Sequence, residues 1–172
     1  MATEFYSVWL IKERLTIPDP EETTTRYHTY LFVQKPSDAS PLNGENAIAG
    51  WIHEVAGDIV TSTGMRYVHK PVLQSPEFSD VFHAKRYLGR VNAGAYPENV
   101  DSVCRSIKPP GCQKKFNTTT MKYEAVVFGE GDANGGWRFY RPGEKRKAYF
   151  KCTEWVEQKV IPKLVEDGIL TE

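Results

Sequence analysis

Hydrophobic positions are most regular near the end of the chain. Val156, Val160 and Leu164 repeat at i, i+4, and Ile161 and Val165 form a second row beside them. This spacing predicts an amphipathic helix beginning near Cys152. Gly168 is placed to end it, and Pro162 predicts a kink or a fresh helical turn. A second helix is predicted from Pro97, because Val100, Val103, Cys104 and Ile107 fall at i, i+3, i+4 and i+7 and Pro109-Pro110-Gly111 stops the pattern.

Elsewhere aromatic and β-branched runs predict strands at Phe5–Ile11, Arg26–Gln34, Ile48–Val55, Met65–Lys70 and Tyr87–Val91. The Arg26–Gln34 strand is apolar on both faces, with His28, Tyr30 and Phe32 on one and Thr29, Leu31 and Val33 on the other. His53 shares a face with Trp51 and Val55. Pro18–Thr25 and Lys35–Asn46 read as loops. Ala148-Tyr149-Phe150 is a strand-like lead into the last helix. Between Cys112 and Lys147, Gly129, Gly131, Gly135, Gly136 and Pro142 break up the apolar runs, which predicts a surface excursion with one strand at Tyr123–Phe128. The pattern predicts an α+β fold, an antiparallel sheet packed against a C-terminal helix that bears a cysteine, in a single domain over residues 1–172.

Composition narrows the function classes. At 172 residues and 40% hydrophobic content, the chain suits one sizeable core. Its 22 basic and 22 acidic residues cancel, so charge gives no sign of a nucleic-acid or membrane-surface partner. No basic segment followed by an apolar run opens the chain, and no run approaches a membrane span. Cys104, Cys112 and Cys152 are odd in number and lack C-x-x-C spacing, which argues against a zinc site and a disulfide framework and points to the reduced cytoplasm. No metal or cofactor is expected.

Candidate chemistry centres on Cys152. In the first turn of a helix, unpaired N–H groups and the helix dipole favour a thiolate. A thiol nucleophile also needs an imidazole, and the imidazole needs a polar partner to fix its tautomer. His28 and His53 lie on strands separated by one loop, so they are the candidate base and orienter. His69 and His83 read as surface residues, and Cys104 as a packed core thiol. Among the many aromatics, Tyr30 and Trp51 are candidate cleft residues. Arg138 and Arg141, in the run Gly135-Gly136-Trp137-Arg138-Phe139-Tyr140-Arg141, are candidates for binding an anionic group.

These segments carry a resemblance. Arg26-Tyr27-His28-Thr29-Tyr30-Leu31-Phe32-Val33 resembles the His-strand of circularly permuted papain-like enzymes, among them the desumoylating isopeptidases and the lecithin retinol acyltransferase group. Trp51-Ile52-His53-Glu54 looks like the next strand of NlpC-type peptidases, and Lys151-Cys152-Thr153-Glu154-Trp155-Val156 looks like the Cys-helix. Ile52-His53-Glu54-Val55-Ala56-Gly57, Gly64-Met65-Arg66-Tyr67 and Cys152-Thr153-Glu154-Trp155 also resemble the pattern of a set of uncharacterised fungal proteins. The resemblance implies a permuted papain-like (NlpC-type) fold with Cys152 as nucleophile, His28 as general base and His53 as orienting residue. It implies a hydrolase or acyltransferase acting on an amide, thioester or ester of a small-molecule or peptide substrate. Two other readings stay open: a non-catalytic binding protein on the same fold, and a fungal natural-product enzyme. An open apolar pocket beside Cys152 favours the last, and a shallow peptide groove counts against it.

Overall fold

A computed structural model describes residues 4–17, 22–36, 48–129 and 136–172. The predicted loops at Pro18–Thr25 and Lys35–Asn46 lie partly outside these residues, as do Gly131 and Gly135. The architecture is α+β, with two antiparallel sheets and a C-terminal helix that starts at Cys152. Strands β1 (Phe5–Arg14), β2 (Tyr27–Gln34), β3 (Gly50–Ala56), β4 (Arg66–Val72) and β5 (Phe82–Asn92) form the larger sheet in the order β4-β3-β2-β1-β5. Helix α1 (Glu98–Ser106) follows β5. Strands β6 (Lys114–Asn117), β7 (Lys122–Phe128) and β8 (Trp137–Phe139) form the smaller sheet in that order.

β2 is central, and Thr29 through Val33 are buried on both faces, as their apolar run predicts. On one face Val8, Leu10, Leu31, Val33 and Val55 pack against Val100, Val103 and Cys104 of α1 and against the C-terminal helix. On the other, Ile11, Tyr30, Phe32 and Ile52 form a smaller cluster. β4 carries Pro71, tolerated because it is an edge strand.

The C-terminal helix has three parts: α2 (Cys152–Trp155), a π-helical turn (Val156–Val160) and α3 (Ile161–Glu166). Pro162 cannot donate a backbone hydrogen bond, so the ladder must adjust before it. The turn widens, with the Ile161 N–H bonded to the Val156 carbonyl, and α3 starts afresh with Pro162 in its first turn. Val156, Val160 and Leu164 are fully buried. The widened turn shifts the phase of the second row, so Val165 is exposed. Gly168, at φ 67°, closes the helix: its N–H reaches the Val165 carbonyl and the Ile169 N–H reaches Leu164.

The excursion from Cys112 holds more structure than its composition predicts. β7 covers the predicted strand, and β6 and β8 pair with it on either side. β5 begins five residues before the predicted Tyr87, and Ala148–Phe150 is not a strand. Among the described residues, no helix is long and apolar enough to cross a membrane.

Candidate functional site

The β2–β3 ladder stops at the pair Leu31–His53. Beyond that pair the two strands are no longer bonded to each other, and α2 packs against both. Cys152 is the first residue of α2. Its thiol points to the Tyr27 carbonyl at 3.7 Å. Thr153 Oγ1 lies 2.8 Å from Thr29 Oγ1, a second tie between the helix start and β2.

An ion-pair network fixes this end of the helix. Glu154 Oε2 accepts from the Lys151 N–H at 2.8 Å, satisfying a first-turn donor. Arg26, just before β2, grips both Glu154 oxygens at 2.7 and 2.8 Å, and Lys151 Nζ meets Glu22 at 2.9 Å. Gln113 brackets the preceding residue, donating to the Phe150 carbonyl at 2.7 Å and accepting from its N–H at 2.8 Å. Trp155, fully buried, anchors the first turn in the core and donates to the Ile107 carbonyl.

His28 lies between two acidic partners. Its Nε2 is 2.7 Å from Glu54 Oε2, and the ring is near enough to the Cys152 thiol for the two to perturb each other's ionisation. Burial alone would lower the imidazole's proton affinity, but the thiol and the carboxylate together raise its pKa to about 10. Burial likewise pushes the Cys152 thiol up, and His28, the Thr29 N–H and Thr153 more than offset this, leaving it below the usual thiol value. Glu54 stays below the usual carboxylate range, because His28 and Lys70 outweigh its burial. Lys70 Nζ holds the second Glu54 oxygen at 2.7 Å. These directions favour the charged forms of both side chains, with a carboxylate behind the imidazole.

The orienting role predicted for His53 does not fit. His53 is directly opposite Leu31, so its side chain is on the α1 face, whereas His28 and Glu54 share the other. There His53 is fully buried, with Nδ1 2.6 Å from the Tyr67 hydroxyl and Nε2 2.8 Å from the Tyr96 hydroxyl. Tyr67 donates to Asp101 Oδ1 at 2.6 Å, and His69 bridges Asp101 (3.4 Å) and Tyr96 (3.3 Å). His69 is therefore no plain surface residue, while His83 is exposed and stacks on Tyr27. Burial pushes His53 down to about 3, keeping it neutral.

His53, His69 and Asp101 cluster closely enough to suggest metal ligands. The two rings, however, stack at 4.3 Å with only 9° between their planes. Ring lone pairs lie in the ring plane, so two parallel rings do not converge on one ion. Both His53 nitrogens are also already bonded to tyrosines. The cluster ties α1 to β3 and β4.

Cys152 and His28 line a cleft of about 720 Å³. Leu15, Ile17, Ile59, Val60, Met65 and Tyr123 supply most of its apolar wall. None of the four predicted substrate-binding residues lines it. Tyr30 is 2% exposed and donates to Glu13, and Trp51 stacks on Tyr6 within the core. Arg138 is pinned in its own turn by both Glu144 oxygens, and the Arg141 N–H bonds the same carboxylate. The smaller sheet instead contributes Lys114, Lys122 and Tyr123.

Glu54 is the residue that sequence reasoning missed. Its signal was parity: one residue from His53 along a strand is one change of face. No curated protein and no solved structure matches the chain. Residues 15–171 match the sequence profile of DUF6540, a family of unknown function, and the chain belongs to that family.

Proposed function

We propose that this protein is a thiol hydrolase or acyltransferase that works through Cys152, His28 and Glu54 on a permuted papain-like fold. The observation that carries the reading is His28 bonded to the Glu54 carboxylate and lining the same cleft as Cys152. Chain order supports it: a His strand, then a strand bearing the orienting residue, and the Cys helix last, as in the circularly permuted papain-like enzymes. All three cysteines are free, which suits a reducing cytoplasm.

In this reading the Cys152 thiolate attacks the carbonyl carbon of an ester, thioester or amide, forming a carbon–sulfur bond. Backbone N–H groups at the start of the helix stabilise the oxyanion. The bond to the leaving group breaks, and the His28 imidazolium gives that group its proton. Neutral His28 then takes a proton from water, which releases the acid, or from an amine or alcohol, which completes a transfer. Glu54 holds the ring throughout and stabilises its charged form. The apolar cleft beside Cys152 favours a small-molecule acyl substrate over an extended peptide.

The test is the rate of Cys152 alkylation by iodoacetamide against pH, in wild type and His28→Ala. A thiol that labels fast at pH 7 and slows in the variant supports the dyad. A Cys152 that labels only on unfolding removes it and leaves a packing site.

A further inference from the structure

Glu54 divides its charge between two partners. Oε2 meets His28 Nε2 at 2.7 Å, and Oε1 accepts from Lys70 Nζ at 2.7 Å. Register explains the second contact. Ile52 stands opposite Lys70 and Glu54 opposite Val68, so Lys70 is the diagonal neighbour of Glu54 on the His28 face of the sheet. Lys70 lies on the edge strand β4 and its side chain is half-exposed, whereas the carboxylate is nearly buried. A lysine with water within reach is thus turned inward, onto the carboxylate that holds His28.

The other charged and titratable groups on this side of His28 have their own partners. Glu13 of β1 stands opposite His28, and its Oε1 accepts from the Tyr30 hydroxyl at 2.9 Å. Tyr30, two residues along β2, is held as a neutral phenol by burial and by Glu13. Arg26 grips both Glu154 oxygens, and Cys152 faces His28 from the helix start. Lys70 reaches the pair from behind, through Glu54, and neither Lys70 nor Glu54 lines the cleft. A carboxylate shared with a second cation holds a protonated imidazole less firmly than one that is not shared. That difference matters to a general base, which must be neutral before it can take a proton.

We propose that Lys70 is a positioning residue: it fixes Glu54 by Oε1 and, by sharing the carboxylate's charge, keeps the proton on His28 transferable. The proposal rests on the acyl-transfer reading for the use of that proton, but not for the coupling of Lys70 to His28.

The experiment follows the His28 ring by NMR in the whole protein, labelled at histidine, as pH is raised. The resonance is assigned through His28→Gln. Variants are Lys70→Met, which removes the charge, and Lys70→Arg, which keeps it; both fall at a half-exposed edge position outside the core. Lys70→Met should move the His28 titration upward and cut the neutral fraction of the ring at pH 9 about threefold. Lys70→Arg should keep that fraction within about 1.5-fold of wild type. A loss of packing alone would loosen Glu54 and move the titration the other way. An unchanged or lowered titration in Lys70→Met, or a Lys70→Arg that behaves like Lys70→Met, overturns the proposal. Iodoacetamide labelling of Cys152 is scored on the same samples. An inert Cys152 with the His28 shift intact removes the acyl-transfer reading alone. A reactive Cys152 beside a His28 indifferent to Lys70 removes the Lys70 assignment alone.

Discussion

Glu54 Oε2 stands 2.7 Å from His28 Nε2 across two neighbouring strands, and its other oxygen holds Lys70 at 2.7 Å. The carboxylate is 7% exposed and fully engaged, so the imidazole it faces has one orientation to adopt. Glu54→Gln keeps the shape and removes the charge. We expect the Cys152 thiol pKa to rise and alkylation at pH 7 to slow about tenfold. An unchanged rate would mean that Glu54 serves packing alone.

The pH dependence follows from the same pair. His28 is raised to about 10, so the stability it contributes is fully present below its unfolded value near 6.5 and is lost as pH rises toward 10. Cys152 is lowered, so its contribution is present above the unfolded thiol value and is lost as pH falls through the folded one. Hydrolysis of an activated ester should therefore rise with pH on the thiol's ionisation and fall near pH 10. A profile that rises only on an ordinary thiol ionisation, near 8.5, would contradict the pair.

His53→Ala should act on folding. It removes a fully buried ring and leaves the Tyr67 and Tyr96 hydroxyls short of a partner. The expected loss is about 2–4 kcal/mol by chemical denaturation. Alkylation of Cys152 in the folded variant should stay within about twofold of wild type, the result that an orienting His53 would forbid.

Arg26→Ala breaks the bidentate grip on Glu154 and frees the carboxylate that caps the helix start. A loss of about 1–2 kcal/mol is expected, with a higher thiol pKa because Cys152 shifts against His28. Arg26→Lys, which offers a point charge in place of a planar fork, should recover part of the stability and less of the thiol pKa.

Much of this was legible in the residues. The i, i+4 row of the last helix, its glycine stop and the doubly apolar β2 all follow from local pattern, whereas the expectation that His28 serves Cys152 drew on the order of the segments and on the resemblance. Glu54 was hidden because register is not a local property. The connection between β2 and β3 leaves open which of residues 53 and 54 turns toward His28, and one step of register exchanges them. The same limit hid β6 and β8, four and three residues long and rich in Lys, Arg and aromatics, which become strands only by pairing with β7. The cleft wall drew on three separate connections, and no periodicity links them.

The tie between Thr29 and Thr153 spans 124 residues of chain, and that between Arg26 and Glu154 spans 128. Contacts of such separation form late, once the intervening chain has closed on itself. A chain that has not yet docked its last helix carries a His28 with no thiol beside it and a Cys152 with ordinary reactivity. In the reading proposed above, the thiol is thus armed by the docking of that helix, and a pulse of alkylating agent during refolding would time that docking at Cys152.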